Sequence, residues 1–139
     1  MMNLIRSFRV ASPLTTRAVA MMLSVVALTV LRACTPVTAP PPEEGVTDVA
    51  IQNFAFVPKE VTIKVGERVR WTNLESGPAR HTSTSGLPGE ADGLWNSDFL
   101  SPGQSFTSEP FEEAGEFVYF CEIHRTMASM INAKVIVEP

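Results

Sequence analysis

An all-β fold, an antiparallel β-sandwich, is the class this sequence predicts for most of its 139 residues. Three observations carry it. From Val49 to Glu138 the apolar residues fall in short alternating runs, the period of a half-buried strand, with no convincing helical spacing. Gly, Pro, Asn and Ser separate these runs, as turns require. The runs recur often enough to build two packed sheets.

The elements follow in order. "VAIQNFAFVP" (49–58) alternates and stops at Pro58, which has no N–H for a ladder. "VTIKVGERVRWTN" (61–73) puts Val61, Ile63 and Val65 on one face, turns near Gly66–Glu67, and resumes through Val69 and Trp71. Residues 75–103 are long, polar and rich in Gly, Ser and Pro. A loop of that length in a compact domain is more often functional than idle; a short strand or helical turn is expected around Trp95. "QSFTSEPF" (104–111) follows the turn "SPG". "EFVYFC" (116–121) points Phe117, Tyr119 and Cys121 to one side, and "KVIVE" (134–138) closes the chain. Trp71, Phe54, Phe56 and Phe117 are expected in the core, with Trp95 covering its end. There is no internal repeat.

The start of the chain reads differently. Residues 1–17 carry Arg6, Arg9 and Arg17 and no acid, and residues 18–31 are an apolar run of 14. A spanning helix needs ~20, so this is an export signal in form. "LRACTP" then resembles a bacterial lipoprotein cleavage box with Cys34 as the lipidated residue, although Arg32 departs from that pattern. The expected organisation is an export signal over 1–33, a Pro-rich tether over 34–45, and a folded domain over 46–139. A lipid anchor at Cys34 implies attachment at the outer face of the cytoplasmic membrane or in the periplasm. A plain signal with nearby cleavage, or an uncleaved anchor, is the alternative.

Charge narrows the partners. All fifteen acids follow Cys34, against seven basic residues, so the exported part carries −8. Nucleic acid is excluded as a partner, and a basic or mixed-charge protein is favoured. Glu109, Glu112, Glu113 and Glu116 cluster near one turn. They read first as a solvated loop, with a docking patch for a basic partner protein as the alternative.

The chemistry lies in few residues. The sequence has two histidines, His81 and His124, and Cys121 precedes the second by three. An unpaired thiol in an oxidising compartment calls for a reason: a metal, a covalent role or deep burial. The alternative is a Cys34–Cys121 disulfide. One thiolate and two imidazoles with a weak thioether form the donor set of a type 1 copper site, whereas zinc prefers four strong ligands. A short loop after the strand ending at Cys121 brings His124 and a methionine back to one point, and His81 must arrive from another loop.

The stretch from Val49 to Glu138 resembles a plastocyanin-like cupredoxin. The matching motifs are "NFAFVPKEVTIKVGERVRWTN", "HTSTSG", "LSPGQSFT", "GEFVYFCEIHRTM" and "KVIVE". The resemblance implies a small Greek-key β-sandwich, a monomer holding one copper ion at its loop end. It implies His81, Cys121 and His124 as equatorial ligands, and a hydrogen bond from the amide of Thr82 to the cysteine sulfur. Met127 gives C-x2-H-x2-M, the short ligand loop of amicyanin. Met130, at C-x2-H-x5-M, is the alternative axial ligand and fits better when counted back from "KVIVE". Arg125 stands where many relatives have Pro or a small residue, and Phe120 where plant plastocyanins carry a docking Tyr. A binuclear centre is excluded, because Phe117 and Arg125 occupy the positions four residues either side of Cys121. The function implied is a one-electron carrier between redox protein partners. A copper-holding or copper-delivery protein is the alternative. An oxidase or reductase needs a second copper or a substrate pocket, for which no histidine is spare.

Overall fold

The computed structural model describes residues 36–139, so the export signal expected over 1–33 and the lipid site expected at Cys34 lie outside the described residues. Nine strands follow: Val46–Gln52 (β1), Ala55–Val57 (β2), Glu60–Lys64 (β3), Arg68–Asn73 (β4), Thr84–Leu87 (β5), Glu90–Asn96 (β6), Ser105–Thr107 (β7), Gly115–Phe120 (β8) and Ala133–Glu138 (β9). Two single 3-10 turns, Glu122–His124 and Ala128–Met130, are the helical segments among the described residues.

One sheet has the order β2-β1-β4-β7 and the other β3-β9-β8-β5-β6. The sandwich is all-β as expected, but two of its pairs are parallel: β1 with β4 and β3 with β9. Neither pair is a hairpin: β2 and β3 intervene between β1 and β4, and β4 to β8, drawn from both sheets, intervene between β3 and β9. Val49, Ile51, Val69, Trp71, Tyr119, Val135 and Val137 alternate inward from both sheets into one core. Fully burying an aliphatic side chain of this kind stabilises by roughly 1.5–3 kcal/mol.

Two elements differ from expectation. The run 49–58 is a hairpin, with Gln52 facing Ala55 across a two-residue turn. Asn53 and Phe54 both have positive φ, 51° and 54°, the backbone of a type I′ turn. That turn throws Phe54 out of the alternation: it is 38% exposed, while Phe56 and Trp71 lie in the core as expected. Phe117 packs against the core from a partly buried position. Residues 75–103 hold a second hairpin, β5–β6, where a loop with one short element was expected. Gly86 permits it: at φ 102° a Cβ there would lie 2.5 Å from the carbonyl oxygen of Glu90. Trp95 projects from β6 and stacks on Trp71 at 5.5 Å, part of the core rather than a lid.

The Pro-rich tether is tied down at its end. Arg70 donates to the carbonyl of Pro41 and to Asp48 and pairs with Glu43, which fixes residues 41–43 against β1 and β4.

Candidate metal centre

The ends of β4 and β8 and the start of β5 converge, and three potential metal donors meet there. His81 reaches the point through a two-bond bridge to Leu100, His81 N–H to Leu100 O and Leu100 N–H to His81 O. Asn73, wholly buried at the end of β4, holds that bridge in place. Its amide nitrogen donates to the carbonyls of Ala79 and Leu100, and its oxygen accepts from the N–H of Glu75. A buried amide with all these groups satisfied specifies one loop conformation.

Cys121 and His124 come from the turn after β8. The Cys121 N–H donates to the Met130 carbonyl, closing the loop at its base, and the His124 N–H donates to the Cys121 carbonyl. The hydroxyl of Thr82 accepts from the Glu122 N–H at 2.8 Å, stitching the His81 segment to this loop. Ser129 Oγ donates to the Phe54 carbonyl and Lys59 Nζ to the Ala128 carbonyl, anchoring the loop's far side.

The donor atoms form a small triangle. His81 Nδ1 and His124 Nδ1 are 3.2 Å apart; Cys121 Sγ is 3.3 Å from His124 Nδ1 and 3.9 Å from His81 Nδ1. A triangle with these edges has a centre roughly 2 Å from each corner, the length of a metal–imidazole bond. Two imidazoles and a soft thiolate in trigonal array suit copper. The residues present therefore fit one copper ion. Cys121 and His81 are wholly buried and His124 is partly exposed, so one ligand edge meets solvent.

Surrounding groups tune the donors. The N–H of Thr82 lies 3.3 Å from Cys121 Sγ and points its hydrogen at the sulfur, a contact that favours the thiolate. His81 Nε2 lies 3.2 Å from Oε1 of Glu75, itself buried and also accepting from the Phe54 N–H. A carboxylate on Nε2 keeps the proton there and leaves the Nδ1 lone pair free for metal. Burial, and secondarily the neighbouring His124, holds the His81 imidazolium below its ordinary range, despite the opposing pull of Glu75. Phe54 stands edge-on to both histidine rings, at 5.4 and 5.2 Å.

Glu75, Asn73 and Phe54 were not singled out for the site from the sequence. Glu75 and Asn73 sit in or beside a polar loop where acids and amides are ordinarily solvated, and only the fold reveals them as buried. The two methionines differ: Met130 is wholly buried with Cys121 in the core cluster, whereas Met127 is 37% exposed. Arg125 folds back on Glu122, donating to its carbonyl and pairing with its carboxylate, so its charge is compensated beside His124.

Fold and donor triangle together define a mononuclear copper protein of the cupredoxin class. A model of the family described as copper binding proteins, plastocyanin/azurin family, matches residues 43–138. The chain belongs to this family, and its cofactor is one copper ion. The chloroplastic plastocyanin of Tetradesmus obliquus is 42% identical over 89 residues, a match covering 61% of this chain and 59% of that protein, so the chain spans less than two thirds of that relative. The amicyanin of Paracoccus versutus is 34% identical over 103 residues, covering 74% of this chain and 73% of that protein. Among solved structures, a purple cupredoxin from Nitrosopumilus maritimus aligns with a TM-score of 0.55 at 28% identity, covering 66% of this chain and 98% of that one.

Proposed function

We propose that the protein is an exported, membrane-anchored one-electron carrier, with His81, Cys121 and His124 as equatorial copper ligands and Met130 as the axial one. The observation that carries this is the donor triangle, its loops tied by hydrogen bonds through Asn73 and Thr82, with the His124 edge partly exposed. Copper bound there supplies a Cu(II)/Cu(I) couple. The chain's part is to keep the donors still, so that little rearrangement accompanies a change of charge, and to keep water from Cys121 and His81.

Burial supports Met130 over Met127 as the axial thioether. A weak axial ligand belongs in the dry interior, and Met130 is wholly buried, its backbone carbonyl 2.8 Å from the Cys121 N–H. Asn132, two residues on with φ 54°, then turns the chain into β9. Anchoring at Cys34 would hold the domain at the outer membrane face, on a Pro-rich tether, as a monomer meeting redox proteins. No substrate is transformed in this reading.

The test is to add Cu(II) to the purified full-length chain. An intense blue or purple thiolate-to-copper band with reversible voltammetry is expected. A colourless protein that prefers Cu(I) and gives it up quickly to a chelator would instead make it a copper buffer or delivery protein. Mass spectrometry of the membrane fraction checks the anchor, and an unmodified Cys34 would remove it.

A further inference from the structure

We infer that copper enters and leaves through a seam between the β1–β2 hairpin and the ligand loop, and that Ser129 and Lys59 are positioning residues that hold this seam shut. The inference rests on the copper reading of the site and adds how the metal is retained there. The loop from Glu122 to Ser129 carries His124, yet none of its own side chains is buried. Apolar packing therefore does little to hold it, and hydrogen bonds do the rest. Its base is closed by the Cys121 N–H and the Met130 carbonyl, both on wholly buried residues.

Above the base the loop is fastened on two sides of unequal strength. On one side the Glu122 N–H reaches the hydroxyl of Thr82, a buried residue, at 2.8 Å. On the other side Ser129 Oγ donates to the Phe54 carbonyl at 2.6 Å and Lys59 Nζ to the Ala128 carbonyl at 2.7 Å, and both bonds are exposed. An exposed bond exchanges its partner for water at little net cost, whereas breaking a buried one strands a polar group. The hairpin side is thus the side that opens, with the Thr82 bond and the base as its hinge. Opening about that hinge takes His124 away from His81 and Cys121, which stay with the sandwich.

The hairpin makes a fixed anchor for the seam. Gln52 pairs with Ala55 across the Asn53–Phe54 turn. The Phe54 N–H donates to Glu75 Oε1 at 2.7 Å, and Glu75 in turn touches His81. Phe54 therefore bridges both halves of the site through its backbone, its N–H toward the His81 side and its carbonyl toward the His124 loop. Lys59 is steadied by its own carbonyl, which accepts from the Lys134 N–H on β9. The half-exposed Phe54 ring, edge-on to both imidazoles, stands at the mouth of the seam. The exchange moves no electron: the ion's protein donors are replaced by those of the acceptor that takes it.

The test uses the full chain, Cu(II) as the metal and EDTA as the acceptor. Ser129→Ala/Lys59→Met is expected to release copper about tenfold faster and to take it up faster by a similar factor. Affinity then changes little, and the thiolate-to-copper band keeps its position. In copper-free protein the amides of His124 and Met127 should exchange hydrogen faster, with the Cys121 amide unchanged. Ser129→Thr/Lys59→Arg keeps both donors and should restore slow release. Lys134→Met, which loses the same charge and an exposed pair with Glu116, serves as control. A double variant whose release and uptake match this control overturns the seam. So does faster release with unchanged uptake and a shifted band, because the two bonds then shape the bound site rather than guard its entrance. A chain that takes up no copper overturns the copper reading. Hydrogen exchange in the copper-free loop still tests the seam, and amides no faster in the double variant than in the control overturn it.

Discussion

The Glu75 carboxylate lies against Nε2 of His81, one of the proposed ligands, and its effect is measurable separately from the fold. Glu75→Gln keeps an acceptor for the Phe54 N–H but removes the charge that makes His81 a stronger donor. Because that charge favours Cu(II) over Cu(I), the variant should show a raised reduction potential and about tenfold weaker Cu(II) binding by competition titration. An unchanged potential would make the contact structural only. The methionines offer a paired test. Met130→Leu should change the copper spectrum and raise the potential, while Met127→Leu, at an exposed position, should alter neither; the reverse pattern would move the axial role to Met127. The depressed imidazolium of His81 has a consequence for the copper-free chain. The unfolded chain takes up a proton near the ordinary histidine value of 6.5, and the folded one only at lower pH. Stability is thus full above that value and falls as pH drops through it toward the folded one. The denaturation midpoint of copper-free protein should fall between about pH 7 and about pH 5, and His81→Gln should lessen the fall.

At the scale of elements, the loop bearing His81 depends on Asn73. Asn73→Ala leaves the carbonyl of Ala79 and the N–H of Glu75 without their partner and takes one of two donors from the Leu100 carbonyl. It should cost about 2–4 kcal/mol in chemical denaturation and weaken copper binding. What the sequence made legible here follows the physics of each signal. Alternation marked β3, β4, β8 and β9, because their inward residues are consistently large and apolar. The chemical types of His81, Cys121 and His124 marked a soft metal site, because few other duties suit an unpaired thiol beside a histidine. The β1–β2 hairpin stayed hidden because its turn is Asn-Phe rather than Asn-Gly, so an unbroken strand fitted the pattern equally well. The β5–β6 hairpin stayed hidden because β6 is an edge strand with almost no buried side chain except Trp95, and its glycines mimic a loop. Phe54 gains its role only from the β1–β2 turn, and Glu75 only from the loop after β4 that Asn73 folds; together they put an out-of-line ring and a buried carboxylate against the histidines.

At the scale of the whole molecule, the proposed copper ligands join segments 40 residues apart in sequence, from His81 to Cys121. Copper should raise the thermal midpoint, since a ligand bound only by the folded state stabilises it by about 2.7 kcal/mol at a hundredfold excess over Kd. Scanning calorimetry with and without copper checks this, and a midpoint indifferent to copper would contradict a preformed site. The topology also has a consequence for how the domain assembles. β9 lies farthest along the chain from β1, yet it sits inside its sheet, between β3 and β8, and the Val65 N–H bonds the carbonyl of Glu138. Until β9 is in place, β3 and β8 have no common neighbour and the interior cannot close. Truncation after Ala133 should therefore abolish folding, read as loss of near-ultraviolet dichroism. A domain whose interior is closed by the strand farthest from its first one assembles as a whole rather than piece by piece, so partial domains made by cutting between its strands should have no fold of their own.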